Sequence, residues 1–100
     1  MKKRLEYHLQ HEIILWANAN RPDIVVFTVP NEAARSDRNI TVLKGVSDLV
    51  VVLPQKVIFV ELKQPKGVQS KFQKVFQNRV EKLGKEYYIV RSLEQFKSLL

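Results

Sequence analysis

The chain has 100 residues, of which 45% are hydrophobic and 27% charged, a composition typical of a folded domain rather than a disordered segment. It contains no cysteine, which excludes disulfide bonds and thiolate metal sites. Seventeen Lys and Arg residues against ten Asp and Glu residues give a net charge of +7. This balance favours a polyanionic partner, although a basic soluble protein without such a partner would share it.

The first predicted element is a helix over residues 3–19, which ends before Pro22 because proline disfavours helical geometry in the preceding residue. Side chains spaced by three and four on one face are those of Leu5, Leu9, Glu12, Ile13 and Trp16. This pattern predicts that Glu12 faces the sheet, although an acid at the margin of such a stripe more often contacts water. Polar residues interrupt the start of the chain, and no run reaches the about 18 apolar residues that span a bilayer. We therefore expect an intracellular protein that is neither secreted nor associated with a membrane.

Three strands are predicted next, over residues 24–29, 48–53 and 57–63. Residues 31–44 are polar and predict a loop. Five consecutive apolar residues at 49–53 predict a strand that is covered on both faces. Pro54 suits the first corner of a tight turn, so the second and third strands are expected to form a hairpin.

The remaining chain predicts a helix, a short strand and a final helix. Ser70 and Gln73 have the spacing of a capping box, and Gly84 ends the helix that they begin. Its apolar stripe consists of Phe72, Val75, Phe76, Val80 and Leu83. A strand over 87–90 and a helix that begins at Ser92 complete the order. We therefore expect one α/β domain over residues 1–100, with a small mixed sheet flanked by helices.

Two acids and an amine are predicted to meet at one end of the hairpin. If Pro54 and Gln55 are the turn residues, Asp48 lies opposite Glu61, and Lys63 points to the same side as Glu61 because side chains alternate along a strand. An ion pair between Lys63 and one acid is a sufficient structural explanation for that acid, but it leaves the facing acid without a partner. Carboxylates without cysteine suit a hard cation such as Mg²⁺ or Mn²⁺ rather than zinc.

Positive charge is concentrated immediately after these acids. Residues 63–85 contain seven Lys and Arg residues and the single acid Glu81. Lysines on the outer face of a helix often serve only solubility. Their position beside an acid cluster favours a surface that follows the phosphates of a nucleic acid.

These residues resemble the PD-(D/E)xK nuclease signature, in which Asp48 is followed after twelve residues by Glu61-Leu62-Lys63. More narrowly, the chain resembles VRR-NUC domains, the virus-type replication and repair nucleases. The similarity extends over nearly the whole chain. It includes Glu12, Pro30-Asn31-Glu32 with Arg35, Gly45 to Leu49, Val60 to Lys63, Gly67 through Ser70 to Gln73, and Leu83-Gly84. The resemblance implies a restriction-endonuclease-like core.

The resemblance also implies a role for each matching residue. Asp48 and Glu61 would be metal ligands together with the backbone carbonyl of Leu62, and Glu12 would complete or orient the water shell of the metal. Lys63 would position or deprotonate the attacking water, and Gln73 matches a site glutamine that could equally serve only as a cap. The residues expected to contact DNA are Arg35, Lys44, Lys66, Lys71 and Lys74. Ser47 departs from the family, which usually has proline before the first acid.

The function that the resemblance implies is Mg²⁺- or Mn²⁺-dependent cleavage of DNA, with branched substrates such as four-way junctions. Short members of this kind are homodimers, and two symmetric cuts in a junction require two sites. No nucleotide cofactor is expected. Two alternatives remain open, a non-catalytic DNA-binding module on the same fold and a sequence-specific restriction-type endonuclease.

Overall fold

The computed structural model describes residues 2–29 and 43–100, with side chains described from Leu5 onward. Its elements are α1 (Lys2–Asn20), β1 (Val25–Thr28), β2 (Leu49–Leu53), β3 (Lys56–Leu62), α2 (Lys71–Lys82), β4 (Glu86–Val90) and α3 (Leu93–Lys97). The predicted α/β class and order of elements are confirmed. Most of the segment predicted as a loop, including Arg35, lies outside the described residues.

The four strands form one mixed sheet in the order β1-β2-β3-β4. The pairs β1–β2 and β2–β3 are antiparallel, whereas β3 and β4 are parallel. A parallel pair needs a crossover connection, and α2 provides it between β3 and β4. β2 and β3 are joined by the predicted two-residue turn, with Leu53 paired to Lys56.

Helices cover the sheet from both sides. On one side, α1 and α3 enclose the larger apolar cluster, whose buried members are Ile13, Ile24, Leu49, Val51, Ile58, Val60, Leu62, Val90 and Phe96. On the other side, α2 buries Phe76 and Val80 against Tyr87, with Phe59 packed beside them. Alternation along β3 therefore sends Ile58, Val60 and Leu62 to the larger cluster and Phe59 and Glu61 to the α2 side.

The α2 side of the sheet is covered only in part, which corrects two predictions. Three members of the predicted α2 stripe, Phe72, Val75 and Leu83, are exposed. Val52 in β2 is also exposed, so β2 is fully covered on one face only. The physical reason is that α2 contacts β4 at one edge of the sheet and does not extend across β2.

The buried face of α1 also differs from the predicted stripe. Ile13 and Ala17 are buried, whereas Leu5 and Glu12 are exposed. Successive residues of a helix are rotated by about 100°, so residues two turns apart, such as Glu6 and Ile13, point in nearly the same direction. The inward face therefore contains Glu6, which is partly buried, and does not contain Glu12. The predicted inward orientation of Glu12 is therefore wrong. Among the described residues, no helix has the length and apolar character needed to traverse a lipid bilayer.

Candidate active site

The hairpin brings Asp48 and Glu61 together. Leu49 is paired with Val60, and the same register continued by one residue places Asp48 opposite Glu61, as the two-residue turn predicts. Asp48 directly precedes β2, and its Oδ2 accepts a hydrogen bond of 2.8 Å from the backbone N–H of Leu62. This bond ties the acid to the facing strand and compensates part of its negative charge.

Glu61 is the most deeply buried charged residue in the described part of the chain, with 1% of its surface exposed. Its Oε2 accepts a hydrogen bond of 2.5 Å from Nε2 of Gln73, and Nζ of Lys63 lies 3.8 Å from the same oxygen. Its Oε1 is buried without a hydrogen-bond partner among the described residues. Leaving such an oxygen unsatisfied is costly, so this atom marks a position where a ligand would be stabilised.

The electrostatics of the two acids favour a bound cation. The pKa of Glu61 is raised to about 9, mainly by burial and to a smaller extent by the negative charge of Asp48. Burial also raises the pKa of Asp48, although the hydrogen bond from the Leu62 backbone opposes this effect. Because the negative charge of Asp48 acts on Glu61, the pair is expected to hold a proton at neutral pH when no cation is bound.

The side chain of Gln73 contacts both the backbone of Ser70 and the carboxyl group of Glu61. Its side-chain oxygen accepts a hydrogen bond of 2.8 Å from the backbone N–H of Ser70, and the Ser70 hydroxyl accepts one of 3.2 Å from the backbone N–H of Gln73. These two bonds complete the predicted capping box at the start of α2. The amide nitrogen of the same side chain is thereby directed at Glu61.

The segment before Asp48 packs closely against the first turn of α2. Gly45 has a positive φ of 80°, and a Cβ atom on it would lie 2.2 Å from the carbonyl oxygen of Phe72, so only glycine fits there. Nζ of Lys44 lies 5.1 Å from the centre of the Phe72 ring. The buried hydroxyl of Ser47 donates to the carbonyl oxygen of Leu49, which fixes the backbone on both sides of Asp48.

A further acid near the site is Glu6 rather than the predicted Glu12. The negative charge of Glu6 contributes to the raised pKa of Glu61, whereas Glu12 is exposed. The sequence contains a signal for this arrangement, because Glu6, Leu9 and Ile13 share one face at spacings of three and four. The part that Glu12 was expected to have in the site stays a prediction.

Four of the basic residues predicted to contact DNA are exposed around the start of α2, whereas Arg35 lies outside the described residues. Lys71 and Lys74 lie in its first turn, Lys66 in the preceding connection and Lys44 beside Phe72. Within the described segments, Lys66, Lys71 and Lys74 form no ion pair, and the first turn of α2 has no acid. Lysines grouped around a helix N-terminus suit a phosphate.

The donor set fits a hard divalent cation. The available oxygen atoms belong to two adjacent carboxyl groups, one of them with an unsatisfied buried atom. Over the described residues, no group of three His, Cys, Asp or Glu side chains converges on one point. Mg²⁺ is commonly held by one or two carboxylates and completes its shell with water and substrate phosphate, so two acids are sufficient for it.

Comparisons with known proteins give the fold. No protein-family model matches the chain, and no curated protein matches it in sequence. One similar solved structure, described as a "VRR_NUC domain protein", has a TM-score of 0.76 and 19% identity, covering 95% of this chain and 84% of that one. Another, described as a "VRR_NUC domain", has a TM-score of 0.69 and 26% identity, covering 95% of this chain and 92% of that one.

Proposed function

Because this chain has the fold of VRR_NUC domains, we propose that it is a nuclease that hydrolyses DNA with Mg²⁺ or Mn²⁺ held by Asp48 and Glu61. The observation that carries this proposal is the buried Oε1 of Glu61, which lacks a hydrogen-bond partner in the described structure and belongs to a carboxyl group beside a second one. A purely structural ion pair with Lys63 would not explain why that oxygen is left unsatisfied.

The cation and the side chains have separate tasks in this proposal. When bound, Mg²⁺ or Mn²⁺ supplies a Lewis acid for the phosphodiester and lowers the pKa of a coordinated water. Asp48, Glu61 and the carbonyl of Leu62 would hold it. Gln73 donates to one oxygen of Glu61 and thereby leaves the other oxygen for the cation.

Lys63 is suited to act on the phosphate or on the attacking water. Its ammonium lies at the carboxylate end of the site, 3.8 Å from Glu61, and its side chain is 11% exposed. In such a dry environment a charged hydrogen-bond donor stabilises developing negative charge more strongly than it would in water. Gln73 anchors the same carboxylate from α2, so the strand and the helix fix the site jointly.

The basic surface formed by Lys44, Lys66, Lys71 and Lys74 is proposed to bind the DNA backbone next to the acids. We further propose that branched DNA is the preferred substrate and that a homodimer supplies two sites for symmetric cuts. Both statements follow from the resemblance to the family. A dimer is tested by sedimentation equilibrium of the free protein.

The test is cleavage of duplex, single-stranded, flap, splayed-arm and four-way-junction DNA with Mg²⁺, Mn²⁺ or EDTA. We expect cutting that requires the cation and is fastest on branched substrates. Asp48→Asn and Glu61→Gln should abolish cutting and retain DNA binding, because they remove negative charge. Glu94→Gln is the matched control, since Glu94 is highly exposed on α3.

Two outcomes would contradict the proposal. DNA binding without cleavage under any cation would favour a non-catalytic DNA-binding module. Cleavage confined to one duplex sequence would favour a restriction-type enzyme. Calorimetric titration with Mn²⁺ gives a second readout, because binding should be lost in Glu61→Gln and retained in Glu94→Gln.

A further inference from the structure

The connection that follows Lys63 is a tight turn formed by Gln64, Pro65, Lys66 and Gly67. The N–H of Gly67 donates to the carbonyl oxygen of Gln64 at 3.0 Å, which closes the turn. A type II turn requires a positive φ at its third residue, here Lys66. In the described part of the chain only glycines have a positive φ, and Gly67 is not among them. The turn is therefore of type I, in which proline is favoured at the second position and glycine at the fourth.

The side chain of Arg91 donates hydrogen bonds to the backbone of this turn. Its Nη1 donates to the carbonyl oxygens of Gln64 at 2.5 Å and Gly67 at 2.9 Å, and lies 3.3 Å from that of Pro65. Arg91 follows β4 directly, and its own N–H donates to Oε1 of Gln95 at 2.6 Å. One guanidinium nitrogen thus fixes a turn that is more than twenty residues away in the chain, and hydrogen bonds from a charged donor are stronger than neutral ones.

The Gln64–Gly67 turn packs against the side chain of Lys63. A Cβ atom on Gly67 would lie 3.5 Å from Cδ of Lys63, so the Gly67 α carbon lies beside the methylene stem with no side chain between them. The backbone N–H of Lys63 also donates to the carbonyl of Val90 at 3.1 Å. These contacts limit the directions in which the stem can extend, and they account for the low exposure of a residue that directly follows a strand end.

We infer that Arg91 is a positioning residue for Lys63, which it holds beside Glu61 through the Gln64–Gly67 turn. Arg91 bonds to the turn, the turn contacts the lysine stem, and the lysine ammonium lies beside the carboxylate. The catalytic consequence rests on the proposed nuclease function, whereas the positioning itself does not. The loss of Arg91 should lower the rate of the chemical step, because a displacement of about 1 Å can cost up to about a hundredfold in rate.

The structural part of the inference is tested by NMR on the protein without DNA. In Arg91→Ala we expect loss of the nuclear Overhauser contact between the α protons of Gly67 and the δ protons of Lys63. The amide of Gly67 should exchange faster with solvent, while that of Lys74, bonded to Ser70 in the α2 cap, should be unchanged. Arg21→Ala is the matched control, since it removes one arginine that pairs only locally with Asp23.

The catalytic part is tested by steady-state cleavage. Arg91→Ala should lower kcat about tenfold or more and leave KM within about twofold, whereas Arg21→Ala should change neither. Arg91→Lys should recover part of the rate, because it restores a cationic donor without the planar guanidinium. If Arg91→Ala does not fold, Pro65→Gly replaces it, because it loosens the turn without exposing a buried polar group and should change the same quantities in the same direction.

A Gly67–Lys63 contact and a Gly67 exchange rate equal to those of the wild type in Arg91→Ala would overturn the inference. A fall in kcat that Arg21→Ala reproduces would overturn its catalytic part. If the wild-type chain cuts no DNA, the proposed function fails, and the NMR comparison still decides whether Arg91 positions Lys63.

Discussion

The amide of Gln73 bonds at its oxygen to the backbone of Ser70 and at its nitrogen to Glu61. Gln73→Glu would preserve the capping box, because glutamate accepts the same backbone hydrogen bond, but it would place a carboxylate against the buried Glu61. We expect a lower melting temperature in EDTA and a larger increase on addition of Mn²⁺ than in the wild type. Thermal denaturation with and without the cation measures both changes.

Gln77→Glu is the matched control for this prediction. Gln77 donates to the exposed Glu81 on the same helix, so this substitution also places two acids side by side, but in contact with solvent. Solvent screening should keep the change in melting temperature small. Equal effects of the two substitutions would show that the environment of Glu61 has no special electrostatic character.

The raised pKa of Glu61 predicts how the stability of the metal-free protein depends on pH. The carboxyl group ionises near pH 4.5 in the unfolded chain and near pH 9 in the folded protein. Between these values the folded state holds a proton that the unfolded chain has released, so this group makes stability fall as the pH rises. Glu61→Gln should flatten the decline of the melting temperature in EDTA from pH 5 to pH 9. Parallel curves for mutant and wild type would contradict the prediction.

Glu6 and Glu12 can be distinguished by the same amide substitution. The negative charge of Glu6 acts on Glu61, so Glu6→Gln should reduce the pH dependence of the metal-free melting temperature and lower the cleavage rate. Glu12→Gln should change neither if its exposed position describes its role. Lost cleavage in Glu12→Gln with unchanged stability would instead return Glu12 to the site.

At the scale of elements, two glycines form a natural comparison. Gly45 and Gly84 have nearly equal positive φ angles, 80° and 79°. A Cβ atom would collide with the α2 backbone at Gly45 and would meet nothing within 4 Å at Gly84. Gly84→Ala should therefore cost only the conformational strain of about 1 kcal/mol in free energy of unfolding.

Gly45→Ala should cost about 2 kcal/mol more than Gly84→Ala, because the segment before Asp48 must move away from α2. Urea denaturation of both variants measures the difference. Mn²⁺ affinity should fall in Gly45→Ala alone. Asp48 lies on the segment that would move and Gln73 lies on α2, so the substitution would separate these two residues. Equal losses of stability would mean that the close packing of this segment is not important.

Local sequence was sufficient to predict some elements and not others. The Pro54-Gln55 turn fixed the hairpin register, and the Ser70–Gln73 spacing fixed the start of α2, because both depend on adjacent residues. The apolar spacing of α1 includes Leu5 and therefore predicts that Glu12 faces inward, but Leu5 is exposed. One exposed apolar residue at the start of a helix is enough to rotate the inferred buried face.

Other features depend on distant parts of the chain. Phe72 and Val75 are exposed because α2 packs at one edge of the sheet, and no pattern within the helix records which strand it covers. In the sequence, Arg91 cannot be distinguished from any other basic residue that follows a strand. The carbonyl groups to which it donates, at residues 64–67, are distant in the chain. Contacts between residues that are distant in the chain could therefore not be predicted from local sequence patterns.

For the whole molecule, the distribution of charge predicts how DNA binding depends on salt. Lys71 and Lys74 are exposed beside the site, whereas Lys56 and Lys97 are each paired with an acid elsewhere. Lys71→Ala with Lys74→Ala should reduce the slope of log affinity against log salt by about two, since each phosphate contact releases about one counterion. The same double change at Lys56 and Lys97 should alter it little. Equal slopes for the two double mutants would place the DNA elsewhere.

The hairpin that joins Asp48 to Glu61 also has a consequence for the rate of folding. Only twelve residues separate the two acids, and a short two-stranded hairpin closes before pairings that require long loops. We therefore expect the two like charges to meet early in folding, so that their repulsion slows folding more than it speeds unfolding. If Asp48 and Glu61 bind a divalent cation as proposed, refolding in Mn²⁺ should be faster than refolding in EDTA, because the cation screens their repulsion.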